Sequence, residues 1–329
     1  MYSKLRMLIS IYLMLVSWIL GCAISSNITM QSATQPEVKS TSISSASLNT
    51  PTATAPTPSV EKAKAIALNL LGNNGGCKLP CVWGLTPGLT TSSERQQILA
   101  SYGGFSETDF SMSGSGVDLT KNPGGFGISL TKDEVSISAG VTYYEINGVL
   151  EMLSLVTIPQ KNQKHIYGNN NYSELIQYYT LPYLLNNYGV PSEVLVLAFP
   201  RDPFLHADYE PFSFVVIYSE IGIMAEYISP TQWIGEMKEL STPSLWVGDI
   251  ARGCPSQSIL TLRTWDIKKN IPIKKIASIA TSEGISETAY DYFKPIQDVT
   301  SMSINDFYEI FKDPKNTQCI NVNSSLLFP

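Results

Sequence analysis

Asn147-Gly148 stands between two strand-like runs, residues 141–146 and 149–158. An Asn-Gly pair readily takes the left-handed backbone conformations of a two-residue type I′ turn, and that turn twists in the sense that keeps its flanking strands paired. The dipeptide therefore commits this stretch to an antiparallel hairpin, with Ile146 facing Val149 and Glu145 facing Leu150. Residues 135–139 read as a further strand ahead of it. A second strand-rich stretch comprises residues 194–199, 212–218 and 222–228.

Each strand group follows a helix. Ser59 can cap a helix whose apolar positions Val60, Ala63, Ala67, Leu70 and Leu71 keep helical spacing, with Gly72 as its stop. Thr91 and Glu94 make a capping box for a second helix, with Ile98, Leu99 and Tyr102 as its buried stripe and Gly103 as its end. Asn171 and Glu174 offer a box for a third, which Pro182 is expected to kink or split. Residues 98–107 (ILASYGGFSE) echo residues 184–193 (LLNNYGVPSE): a helix end, a Tyr-Gly stop and an exit feeding a strand. The expected fold class is α+β, with two tandem helix-then-antiparallel-strand units at residues 60–160 and 161–240.

Residues 241–329 form a less periodic, mixed α/β region. In it, 256–264 read as a strand and 272–279 as a short helix begun by proline. Ser303 and Asp306 cap a last helix with Phe307, Ile310 and Phe311 on one face, stopped before Pro314.

Ahead of all this, residues 1–21 have the build of an export signal: Lys4 and Arg6, then a short apolar run from Met7 to Leu20. Their ending, Ile19-Leu20-Gly21-Cys22, resembles the lipobox of bacterial lipoproteins. The resemblance implies that Cys22 is acylated, becomes the new N-terminus and holds the protein to the extracytoplasmic side of a cell membrane. Residues 22–59 then read as a disordered tether. About half of 23–59 is Ser, Thr or Pro, and no aromatic occurs between Trp18 and Trp83, so the segment cannot bury enough apolar surface to order itself. As a flexible coil it would reach about 35 Å.

With Cys22 carrying lipid, Cys77, Cys81, Cys254 and Cys319 remain, an even number suited to disulfides in an exported chain. The four-residue spacing of Cys77 and Cys81 favours a local bridge, which pairs Cys254 with Cys319 and staples the C-terminal region. A four-cysteine zinc site and free thiols are the alternatives. Zinc usually takes two close pairs of cysteines, and only one pair here is close.

The turn Gly88-Leu89-Thr90 that opens a helix, and Tyr188-Gly189-Val190-Pro191 that closes one, resemble the α+β modules of the BamE/SmpA outer-membrane lipoproteins and the beta-lactamase-inhibitor-like fold. That resemblance implies modules for protein binding or scaffolding rather than enzymes.

Candidate chemistry is sparse. His206, Asp208 and Glu210 alternate and could converge on a metal, but a solvated loop is the expectation for so polar a run. Glu145 and Glu151 could suggest a glycosidase pair. They fall on opposite faces of the hairpin, however, and read as exposed strand charges. The Cys77–Cys81 spacing is one residue longer than the redox Cys-x-x-Cys motif. Residues 124–127 (GGFG) read as the start of a strand or a turn. Trp83, following the cysteine loop, is expected to pack over its bridge, and Trp233, Trp246 and Trp265 read as core. A surface ligand patch of Tyr and Trp is the alternative use of the aromatics. The chain has 329 residues, 15% charged, and a net charge of −6. With no basic stripe, nucleic acid is not an expected partner. No catalytic residue, cofactor or metal is assigned. The expected function is a lipid-anchored, non-catalytic binding or scaffolding protein that meets a protein or an envelope polymer. The alternative is a cell-envelope hydrolase with an unrecognised carboxylate or metal site.

Overall fold

The structure, a computed structural model, describes residues 59–102, 124–132, 134–162, 164–200, 211–241, 244–278 and 290–328. The leader, Cys22, most of the tether, Gly103, and the His206, Asp208 and Glu210 cluster lie outside them.

Helix α1 (Val60–Asn73) starts on Ser59, whose hydroxyl accepts from the Lys62 amide. It runs past Gly72, the expected stop, because Asn74 takes the left-handed conformation (φ 52°) that ends it. Helix α2 (Ser92–Ser101) has the expected capping box: the Thr91 hydroxyl accepts from the Glu94 amide, and Oε2 of Glu94 accepts from the Thr91 amide at 2.9 Å. Strands β1 (Gly124–Lys132), β2 (Val135–Ile146), β3 (Val149–Lys161) and β4 (Lys164–His165) follow. Residues 124–127 begin β1, and the two strands expected over 135–146 are one.

Helix α3 (Asn170–Leu175) is capped by Asn169, two residues before the expected Asn171, through its side chain and the Tyr172 amide. A 3₁₀ turn (Gln177–Tyr179) separates it from α4 (Leu181–Tyr188), which carries Pro182 in its first turn. This is the split that proline predicts: its missing N–H costs nothing at a helix start.

Then come β5 (Glu193–Ala198), β6 (Pro211–Tyr218), β7 (Ile223–Pro230), β8 (Gln232–Ile234), β9 (Lys238–Ser241), β10 (Ser244–Val247), β11 (Ile250–Gly253) and β12 (Ile259–Trp265). Helix α5 (Ile273–Ser278), β13 (Lys294–Pro295), α6 (Ile296–Val299), α7 (Ile304–Phe311), β14 (Ile320–Asn323) and α8 (Ser324–Leu327) complete the chain. Helix α7 starts on the expected box of Ser303 and Asp306.

The fold is mixed α+β with antiparallel sheets. The main one runs β1-β2-β3-β12-β7-β6-β5-β13, with β4 added to the end of β3. Asn147 and Gly148 make the expected hairpin turn, with φ of 54° and 76°. Strand β12, from the C-terminal region, lies between β3 and β7 and pairs antiparallel with both. Three stretches of sequence thus contribute to one sheet.

Strands β5, β6, β7 and β12 are buried on both faces, which is why they read as near-continuous apolar runs rather than alternating ones. On one face Val196, Phe214, Ala225, Tyr227 and Leu262 pack with α1, α3, α4 and α7. On the other, Met152, Val215, Met224 and Trp265 pack with Ile276 and Ala277 of α5 and with Phe293.

A second sheet, β8-β11-β14, places Gly253 opposite Ile320. Cys254 and Cys319 flank that pair and are bridged, as Cys77 and Cys81 are. Among the described residues no helix is long and apolar enough to cross a membrane.

Candidate functional site

Asn74 organises the region between the first helix and the cysteine loop. It is fully buried, so each of its polar atoms needs a partner. Its Nδ2 donates to the carbonyls of Cys77 (2.8 Å) and Cys81 (2.7 Å). Its Oδ1 accepts from the Trp83 amide (3.0 Å) and lies 2.9 Å from the Tyr179 hydroxyl. That hydroxyl in turn accepts from Nε1 of Trp83 at 3.0 Å. The Trp83 ring, fully buried, meets Phe126 of β1 at 5.7 Å. One asparagine therefore saturates its hydrogen-bonding capacity and ties helix end, loop and tyrosine together.

Two more tyrosines hold the loop from the α3–α4 side. Tyr178 donates to the Cys77 carbonyl at 2.8 Å, and the Tyr188 hydroxyl accepts from the Leu79 amide at 3.1 Å. Tyr183 packs on Tyr178 with ring centroids 4.5 Å apart. Burial, with the Tyr178 hydroxyl beside it, pushes the Tyr183 phenol up to about 12. Burial likewise holds Tyr179 and Tyr188 above the ordinary tyrosine value. Near neutral pH these are neutral hydrogen-bonding groups rather than bases.

A groove of about 480 Å³ opens where the end of α1 meets this tyrosine cluster. Asn73 supplies one side; Gln177, Tyr178, Tyr183, Asn186 and Asn187 supply the other. Its remaining lining residues, Gly72, Thr180, Pro182 and Pro314, are also uncharged. The amide nitrogens of Asn186 and Asn187 are committed to backbone carbonyls. Asn186 donates to Pro182 (2.8 Å) and Lys312 (2.6 Å), and Asn187 to Tyr183 (2.8 Å). Their side-chain carbonyl oxygens accept no hydrogen bond from the described residues. This chemistry suits holding a neutral ligand.

The carboxylates expected to be exposed strand charges are not exposed. Glu145 is covered by α2: Oε1 pairs with Nε of Arg95 at 2.6 Å and Oε2 accepts from Ser92 Oγ at 2.7 Å. Glu151 is the extra residue of a β-bulge, since Tyr144 pairs with Met152 while Glu145 pairs with Leu150. It is buried and pairs with Lys269 at 2.9 Å. The two carboxylates are held by different cations and share no site. A third, Glu226, forms an ion pair with Arg263 in the middle of the main sheet at 3.1 Å, with side chains 2% and 1% exposed.

Among the described residues no three His, Cys, Asp or Glu side chains gather as a metal site. The four cysteines form two bridges, which excludes the zinc and free-thiol alternatives. Trp265 is buried as expected, whereas Trp233 and Trp246 are only half-buried.

The aromatic patch belongs to tyrosines 178 and 183, with no tryptophan in its lining. Its signal in the sequence is the density of Tyr, Asn and Gln over residues 169–188, which helix periodicity does not weigh. Compared with families of known proteins, with characterised proteins and with solved structures, the chain matches none.

Proposed function

We propose that this chain is a lipoprotein of the cell envelope, anchored through lipid on Cys22 and facing the extracytoplasmic side. Its folded part binds or scaffolds an envelope component at the groove between α1 and α4, without catalysing a reaction. The observation that carries this reading is the pairing of cysteines. All four in the folded part are bridged, as suits an oxidising, exported location, and Cys22 is the one cysteine left over. The lipobox-like ending then gives it a use. The groove's uncharged lining adds to this, since side-chain amides and the Tyr183 phenol, raised by burial, bind ligands but do not move protons near neutral pH.

Within the folded part we propose two tandem helix-then-strand units. Their support is the repeated order: α1 and α2 precede the meander β1-β2-β3, and α3 and α4 precede β5-β6-β7.

Metabolic labelling of the full chain with a palmitate analogue in a bacterial host tests the anchor. The wild type should be labelled and Cys22→Ser should not. Equal labelling of the two overturns the reading.

A further inference from the structure

The groove's donors and acceptors are unevenly used, and that selects a class of ligand. Asn186 spends both of its N–H groups, and Asn187 one of its two, on backbone carbonyls, and both keep side-chain carbonyl oxygens that can accept. A ligand that brings hydroxyl groups, which donate and also accept, can use both these oxygens and the remaining amide N–H groups of Asn187 and Gln177. It must also be uncharged, because no lining residue supplies a counter-charge and removing an unpaired ion from water is costly. The chain's net charge of −6 further disfavours an anionic polymer.

The second requirement is an apolar face. Tyr183 presents a half-buried ring backed by Tyr178, and Tyr178 is itself pinned to the cysteine loop. An aromatic ring with its electron-rich face outward attracts C–H groups, and a ring already fixed loses little freedom when a ligand arrives. The volume of about 480 Å³ falls within the span of about 300–1,000 Å³ common for small-ligand sites.

We propose that this groove binds a neutral carbohydrate, with a pyranose ring of an uncharged oligosaccharide stacked on Tyr183 and its hydroxyls donated to Asn186 and Asn187. A pyranose combines a C–H face with a rim of hydroxyl donors, which is the pattern the groove lacks. A proline-rich peptide also docks on tyrosines, but proline has no N–H to give the two acceptors. The inference deepens the binding role proposed above and rests on it.

The test uses the full chain in detergent micelles. Calorimetric titration is run with an uncharged N-acetylglucosamine hexamer, an uncharged glucose hexamer and, separately, a polyproline decapeptide. At least one hexamer should bind saturably. Tyr183→Ala should weaken it by about tenfold and Tyr183→Phe by less than about twofold, since the ring and not the hydroxyl makes the stack. Gln177→Ala, at the exposed rim, is the second variant and should weaken binding severalfold with circular dichroism unchanged. No saturable binding of either hexamer, binding indifferent to Tyr183→Ala and Gln177→Ala in folded protein, or saturable binding of the peptide alone would each overturn the proposal. Palmitate labelling of Cys22 is read separately, so loss of sugar binding leaves the anchor standing. Mass spectrometry of the incubated hexamer separates the remaining case: shortened products overturn the non-catalytic reading while leaving the site.

Discussion

The side-chain oxygen of Asn74 lies 2.9 Å from the hydroxyl of Tyr179 across 105 residues of chain, with both groups buried. The contact joins the end of the first helix to the tyrosine run beside the groove, and the cysteine loop hangs from the other side of the same asparagine.

Asn74→Gly isolates that side chain, because glycine takes the φ of 52° there without strain. The substitution leaves the Trp83 amide and the Cys81 carbonyl short of a partner, while the Cys77 carbonyl keeps Tyr178, at about 1–3 kcal/mol for each buried group left unpaired. We expect a loss of about 2 kcal/mol or more in urea unfolding, with a weakened near-ultraviolet signal from Trp83. A loss below about 1 kcal/mol would show that water replaces the asparagine.

Arg263 and Glu226 form a buried pair on the central strands, and Oε1 of Glu226 has no hydrogen-bond partner among the described residues. Removing one partner strands a charge in the interior, so Arg263→Met should cost about 3–5 kcal/mol. The double variant Arg263→Met, Glu226→Leu should recover most of that. Urea midpoints of the two variants decide the matter: a double variant as weak as the single one contradicts the account.

The two bridges should differ in value. Cys254–Cys319 closes a loop with a sequence separation of 65 and Cys77–Cys81 one of 4. Loop-closure entropy assigns about 4 kcal/mol to the first and about 2 kcal/mol to the second. Paired Cys→Ala variants, each compared with the intact protein by thermal unfolding, should show that order. The reverse order would place the short bridge's importance in the Asn74 cluster rather than in chain entropy.

Alkaline pH should unfold the protein through its tyrosines. Burial raises Tyr172, Tyr179 and Tyr227 above the ordinary value of 10.0. The folded state therefore holds these protons while the unfolded state releases them near pH 10. The stabilising contribution is complete below about pH 10 and is lost as pH rises further. Urea midpoints should be flat up to about pH 9 and fall beyond pH 10, and phenolate absorbance should rise together with loss of secondary structure. Ionisation of all 17 tyrosines near pH 10 with the fold intact would contradict this.

What could be read along the chain was what is decided within a few residues. Thr91 with Glu94, Ser303 with Asp306, and Asn147-Gly148 each contain their own partners, and the structure keeps all three. The helix break at Pro182 follows from one missing N–H in the same way. Features decided at long range were not legible. The bulge at Glu151 belongs to the pairing of β2 with β3, and the cover over Glu145 comes from α2. Neither leaves a mark on the local pattern, so both carboxylates looked like surface charges. The third helix starts on Asn169 and not on the box of Asn171 and Glu174, because the Asn169 side chain accepts from the Tyr172 amide two residues earlier. The groove was hidden for a related reason: Tyr178 and Tyr179 are adjacent in sequence, yet one faces the groove and the other the core.

Strand β12 has a consequence for the order in which the molecule can be completed. A chain that emerges N-terminus first presents β1-β2-β3 and β5-β6-β7 before residue 259 appears. Until then the inner edges of β3 and β7 each expose a row of unpaired amides and carbonyls. The strand that satisfies both is the keystone of the arch, and it is set late. Closing such non-local pairs is slow compared with forming hairpins, so on the export route proposed above two half-sheets would wait in the new compartment. Any handling factor that meets this protein there would find its target at those two edges, during that interval and not after it.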